Sequence, residues 1–257
     1  MLCGYPSFKA DYVQSLSMHE QQQLFELLKV NYKEPDETVL KPIIEYCGYV
    51  PSFLQQSYFI GLHVQSLINF SNCEIPVEDP CEFLLDKISK FSTLRTAHHV
   101  DFSSYLWSKS FFPENILSFL GDRVEMANSV EARLPYLDKD LAEFCLTLPL
   151  NLKLSQQLEE KNILRQVMRQ RLPESILQRK KHVFLAPPIT TLSSESNVLT
   201  LMKDVFSSVN FKSFGLFCPR QLMQHINNLA RYAPRARAIT ESALHLALST
   251  YALCEGI

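Results

Sequence analysis

Six glycines in 257 residues constrain this chain more than any other feature, because ordinary usage of about 7% would supply roughly 18. Gly4, Gly48, Gly61, Gly121, Gly215 and Gly256 are scattered, and no two share a loop. A backbone cradle for phosphate needs clustered glycines, so that N–H groups converge without a Cβ in the way. No P-loop and no G-x-G-x-x-G turn is present, and a complete nucleotide-binding domain is not expected in this chain alone.

Helical periodicity dominates the remaining pattern, and the chain reads as mainly α. In Asp138–Leu148, Leu141, Phe144, Cys145 and Leu148 fall at i, i+3, i+4 and i+7, with Asp138 as N-cap and Pro149 as terminator. A second amphipathic helix is predicted from about Gln157 to Arg171, burying Leu158, Ile163, Leu164, Val167 and Met168 before Pro173. Further helices are expected near Glu20–Val30, Glu82–Lys90, Val198–Val205, Arg220–Leu229 and Ala238–Ala252. The last is apolar on most faces and is expected to be buried. Between Thr38 and Pro80, prolines 42, 51, 76 and 80 punctuate short apolar runs, as in short helices joined by turns. Ala186 to Asn197 reads as a loop.

With 46% hydrophobic residues the chain can bury a core, which excludes disorder. Seven scattered cysteines without a C-x-x-C pair argue against a disulfide framework and a zinc ribbon, and His98-His99 comes with no metal-binding motif. No metal site is assigned. The longest greasy stretch, Ala243–Leu253, is interrupted by His245, Ser249 and Thr250, so no membrane span is expected. The start lacks the features of a signal peptide, and a cytoplasmic location is the default expectation.

Two polar patches are candidates for chemistry. Lys161, Arg165, Arg169, Arg171, Arg179, Lys180 and Lys181 crowd into 21 residues. Lys161, Arg165 and Arg169, spaced i, i+4, i+8, form either a solvated helix face or an anion-binding one, to which Arg179 would add. A nucleic-acid surface is not favoured, given a pI near 6.4 and no reader motif. The second patch runs from Gly121 to Asp138. Its charges Asp122, Arg123, Glu125, Glu131 and Arg133 would be costly to bury unpaired. Asp122 either pairs with Arg133 or begins a helix, and Asp138 is at least a cap.

The stretch Tyr105–Leu117, followed by D-R-V-E-M-A-N-S-V-E-A-R-L-P-Y-L-D over Asp122–Asp138, resembles the signature of the glutamine-hydrolysing asparagine synthetase family. The family writes it roughly as Y-L-P-x-x-L, then D-R-x-S-M-A-x-S-x-E-x-R-x-P-F-L-D. Leu148–Lys153 is similar to its L-P-x-x-L-K, Lys161–Arg165 to its K-x-x-L-R, and Leu172–Lys181 to its L-P-x-x-I-x-x-R-x-K. Gly4-Tyr5-Pro6 resembles the G-G-Y-P that follows the family's pyrophosphate motif S-G-x-G-x-D-E. Neither that motif nor the ATP loop S-G-G-x-D-S occurs in the 257 residues, and no glutaminase domain is recognised.

The resemblance implies the helical carboxy-terminal portion of an α/β adenine-nucleotide α-hydrolase-like synthetase domain, the PP-loop ATP pyrophosphatase type, with its parallel sheet largely missing. Its expected layout is one partial domain over 1–257: a weakly matched helical 1–100, a signature-bearing core at 101–190 and carboxy-terminal helices at 191–257. The implied reaction is ATP-dependent and Mg²⁺-dependent activation of an aspartate carboxylate as an acyl-adenylate, then attack by glutamine-derived ammonia. The charge built up on the departing pyrophosphate needs fixed cations. Lys181 matches the family's active-site lysine in R-x-K and is the expected phosphate contact, where local sequence alone reads it as a surface lysine beside Lys180. Asp122, Glu131, Arg133 and Asp138 are expected as framework near the site, and Lys161, Arg165 and Arg179 as anion-binding. Two readings remain open: part of an asparagine synthase-like enzyme, inactive as this isolated chain, or a noncatalytic helical module or split subunit with a complementing chain. A sheet-less portion would leave apolar helix faces uncovered.

Overall fold

A computed structural model describes residues 2–21, 37–69, 84–86, 96–179, 189 and 197–255. The expected Glu20–Val30 helix and Ala186–Asn197 loop fall almost wholly outside these residues. Of the expected Glu82–Lys90 helix only 84–86 is described, and it is helical. The described residues are almost entirely helical, with two isolated antiparallel bridges and no β-sheet. This is the mainly α architecture expected of a synthetase portion whose sheet is missing. The chain divides into two compact units, each assembled from two separated stretches: 1–55 with 78–182, and 56–77 with 183–257.

In the first unit, α1 (Pro6–Gln14) starts at a proline, whose fixed φ and absent N–H suit a first helical turn. Its Phe8 packs edge-on against Trp107 of α4 (His99–Lys109), with ring centroids 6.0 Å apart. Between them in sequence come α2 (Glu37–Cys47) and α3 (Ser52–Leu67); Pro51 separates them as expected, whereas Pro42 lies inside α2 and does not break it. Asp11 of α1 is fully buried, and its Oδ1 accepts the Ser52 N–H at 2.7 Å, so one helix caps the next. Oδ2 has no hydrogen-bond partner. Burial pushes the Asp11 carboxyl up to about 6, against the opposing pull of its bond to Ser52.

The second unit is built round Phe211, whose ring lies 4.8 Å from Phe206 and 5.0 Å from Tyr251. Its helices are the later turns of α3, then α10 (Asn197–Ser207), α11 (Val209–Phe214), α12 (Pro219–Asn228) and α13 (Pro234–Glu255). Ser208 caps α11 by accepting the Phe211 N–H at 3.1 Å. Gly215 ends it at φ +74°, a conformation that only glycine reaches cheaply. The end of α3 is tied to the residues after α11 by Cys218 N–H to Leu67 O at 2.9 Å and Asn69 N–H to Leu216 O at 2.8 Å. Apolar on most faces, α13 nevertheless buries one side only: Ala243, Leu244, Ala247 and Tyr251 are inside, while Leu253 is 83% exposed.

Among the described residues, Cys3, Cys47, Cys145, Cys218 and Cys254 form no disulfide. No helix there is long and apolar enough to cross a membrane.

Candidate functional site

Beyond α4, Phe112–Asp122 is a π-helix, a rare conformation with one extra residue per hydrogen-bonded ring. It runs directly into α5 (Arg123–Ala127). The chain then extends to a 3₁₀ turn at Pro135–Leu137, and Asp138 opens α6 (Lys139–Thr147) by accepting the Leu141 N–H at 3.0 Å. Asp122, Glu131, Arg133 and Asp138 are all exposed. Arg133 pairs with its neighbour Glu131 and not with Asp122. Asp122 precedes α5 without a side-chain capping bond.

The apolar members of the same segment are exposed too. Phe119, Leu120, Val124, Met126, Phe144 and Leu146 keep 51% to 69% of their surface in solvent. On α6 only Cys145 is buried, although Leu141, Phe144 and Leu148 share its helical stripe. A helix whose apolar stripe meets water is stable only with something to cover it.

The predicted Gln157–Arg171 helix is shorter than its periodicity: α8 spans Asn162–Met168. After α7 (Leu150–Lys153), residues 154–161 instead form a tight loop closed by a Leu154–Glu160 bridge, with Leu158 and Lys161 in left-handed backbone. The Lys161 N–H is held by Leu2 O at 3.2 Å, which lays the amino-terminal residues against this loop. A Cβ on Gly4 would stand 3.0 Å from Lys161 Cε. Leu158 is buried as predicted, but Val167 is 58% exposed.

This loop, α8 and α9 (Glu174–Leu177) surround an open hollow of about 490 Å³. Lys161, Arg165 and Arg179 all line it, with Glu160, an apolar wall including Leu164, Met168 and Ile176, and Tyr136 from the signature segment. The expected anion-binding trio is therefore brought together. Arg165 is committed to its own surroundings: Nε donates to Glu160 O at 3.0 Å, one terminal nitrogen to Leu177 O and the other to Arg179 O at 3.3 Å. Glu160 is 6% exposed and holds Lys9 of α1 in an ion pair, with Arg165 at 3.7 Å. Burial raises the Glu160 carboxyl, yet the Lys9 hydrogen bond and the Lys9 and Arg165 charges outweigh it and keep it below the usual range. Lys181 lies outside the described residues.

Sequence reasoning missed Glu160, Lys9 and Tyr136. Nothing local signals that Glu160 has a partner as distant as Lys9.

The cations suit the anionic end of a nucleotide or pyrophosphate. Among the described residues no three His, Cys, Asp or Glu side chains converge on a metal-sized site.

No solved structure matches the chain. An amidase of Penicillium rubens is 36% identical over 95 residues, covering 35% of this chain and 14% of its own length. The glutamine-hydrolysing asparagine synthetase 3 of Bacillus subtilis is 31% identical over 128 residues, or 50% of this chain and 19% of its own. Asparagine synthetase 1 of the same organism is 26% identical over 133 residues, or 52% and 20%. The chain thus covers a fifth or less of these relatives. The family model described as Asparagine synthase matches residues 2–251, nearly the whole chain, with the ordered motifs from Tyr105 to Lys181 inside it. On that match, this chain belongs to the asparagine synthase family.

Proposed function

We propose that the chain is the helical scaffold of an ATP-dependent amide-forming system, noncatalytic by itself and completed by an α/β layer that carries the phosphate loops on a separate chain. The observation that supports this reading is the unburied apolar side of the signature segment and α6, where Phe119, Leu120, Phe144 and Leu146 stay more than half exposed. Covering about 100 Å² of such surface is worth roughly 2.5 kcal/mol, so a partner layer over several of these side chains gains a strong hydrophobic drive.

In the completed assembly ATP would activate a carboxylate, that of aspartate or a related acid, for attack by glutamine-derived ammonia. This chain's share is cationic: Lys161 and Arg179 offer charge to phosphate oxygens at the hollow, and Lys181 is the phosphate contact that the R-x-K match implies. The relatives' printed names, amidase and glutamine-hydrolysing asparagine synthetase, share amide chemistry and nothing narrower, so the acyl substrate stays at the level of a carboxylic acid. Neither nucleic acid nor membrane enters this reading, and the location proposed is the cytoplasm.

The test is ATP–pyrophosphate exchange with aspartate. The purified chain alone is expected to show none, and exchange is expected to appear on mixing with a chain that bears S-G-G-x-D-S and S-G-x-G-x-D-E. Robust exchange by the isolated chain would overturn the proposal. A second reading, one continuous enzyme, is favoured by the Gly4-Tyr5-Pro6 match, and those motifs found in frame upstream in the transcript would establish it.

A further inference from the structure

We propose that Arg165 is a positioning residue, whose guanidinium fixes the end of α9 and so aims Arg179 into the anion hollow. The inference rests on the anion-binding reading above. Its ground is how fully the guanidinium is engaged. A helix ends with carbonyls that have no intrahelical donor, and α9, at four residues, is nearly all terminus. Arg165 supplies the donor from another element: one terminal nitrogen reaches Leu177 O, the last residue of α9, and the other reaches Arg179 O two residues on, at 3.3 Å. Its Nε returns to Glu160 O at 3.0 Å, so one planar group joins three backbone carbonyls. A lysine ammonium cannot hold this geometry, because a point donor on a flexible stem does not present three directions in one plane.

The guanidinium is itself held. Glu160 is buried with its carboxylate 3.7 Å from Arg165 on one side and paired with Lys9 on the other. The path from α1 to the hollow is therefore Lys9, Glu160, Arg165 and then the main chain at 177–179. With the Arg179 carbonyl pinned, its side chain leaves the backbone in one direction, toward the hollow that it lines. Loss of such aim is costly, since an error of about 1 Å at a binding group can reduce its effect up to about 100-fold.

The experiment titrates the whole chain with inorganic pyrophosphate by calorimetry, using wild type, Arg165→Ala, Arg165→Lys, Arg179→Gln and Arg165→Ala/Arg179→Gln. Far-UV circular dichroism confirms folding. Arg179→Gln and Arg165→Ala are each expected to weaken binding about tenfold, as for the loss of one charge-assisted bond. The double variant should be no weaker than Arg179→Gln alone, since both remove the same contact. Millimolar guanidinium ion should restore Arg165→Ala but not Arg179→Gln in the double variant, and Arg165→Lys should recover only part. Losses that add, or an Arg165→Ala chain that binds as wild type does, would overturn the positioning role and leave the anion site standing. Failure of wild type to bind pyrophosphate would overturn the anion site instead. Hydrogen exchange at amides 176–179 without ligand keeps the two apart: unchanged protection in both Arg165 variants refutes the positioning whatever pyrophosphate does.

Discussion

Asp11 shows what a single buried carboxyl imposes on this chain. Its Oδ1 caps α3 through Ser52 while Oδ2 finds no partner, so the neutral acid suits the site better than the anion. An acid raised in the folded state, here from 3.8 to about 6, stabilises the fold fully below the lower value and loses that contribution as pH rises through the upper one. The difference amounts to at most about 3 kcal/mol. Asp11→Asn mimics the neutral acid, so urea midpoints of wild type should fall relative to the variant between pH 4 and pH 7. Parallel midpoints across that range would remove Asp11 as the source. No local pattern marks this residue in the sequence, because its partner lies 41 positions away. Asp138 is the contrasting case: its cap was legible because donor and acceptor are three residues apart and the apolar stripe begins there.

At the scale of elements, the same distinction between local and distant causes decides which helices could be read. The predicted segments Asp138–Leu148, Val198–Val205 and Arg220–Leu229 appear as α6, α10 and α12, because the apolar periodicity sits within each segment, joined in the first by the Asp138 cap. Gln157–Arg171 failed at its start. Leu158 carries the right periodicity, but the Leu154–Glu160 bridge and the hold of Leu2 on Lys161 draw residues 154–161 into a loop. The bridge is local, but the hold of Leu2 comes from the far end of the chain and leaves no trace in a window of fifteen residues. The π-helix at Phe112–Asp122 was equally hidden, since its apolar spacing is compatible with an α-helix. For α6, whose stripe is largely uncovered, the cap carries more of the burden. Asp138→Ala is expected to destabilise this helix by about 1 kcal/mol, read as faster amide exchange across 141–147 with little change elsewhere. Unchanged exchange there would show that α6 is held by tertiary contacts and not by its first turn.

For the molecule as a whole, the family was legible in an ordered series of short motifs, whereas the hollow was not. Its lining is drawn from Tyr136, the 154–161 loop, α8 and α9, and only folding brings these together. The uncovered side of the signature segment predicts behaviour in solution. Phe119→Lys with Leu146→Lys should lower binding of a hydrophobic dye and raise the concentration at which the isolated chain stays monomeric, with the far-UV spectrum preserved. Equal dye binding by both proteins would mean that this surface is already covered in solution. The division of each unit into two separated stretches carries a consequence of another kind. The amino-terminal helix finds Trp107 and Glu160 only after most of its unit has been synthesised, and the Leu67 end of α3 meets Cys218 later still. At about 5–20 residues per second, α1 leaves the ribosome roughly eight to thirty seconds before its last partner. During that interval Phe8 and its neighbours have no core to enter, so the nascent chain must be shielded or must fold after release, with the long loop closures that slow such topologies.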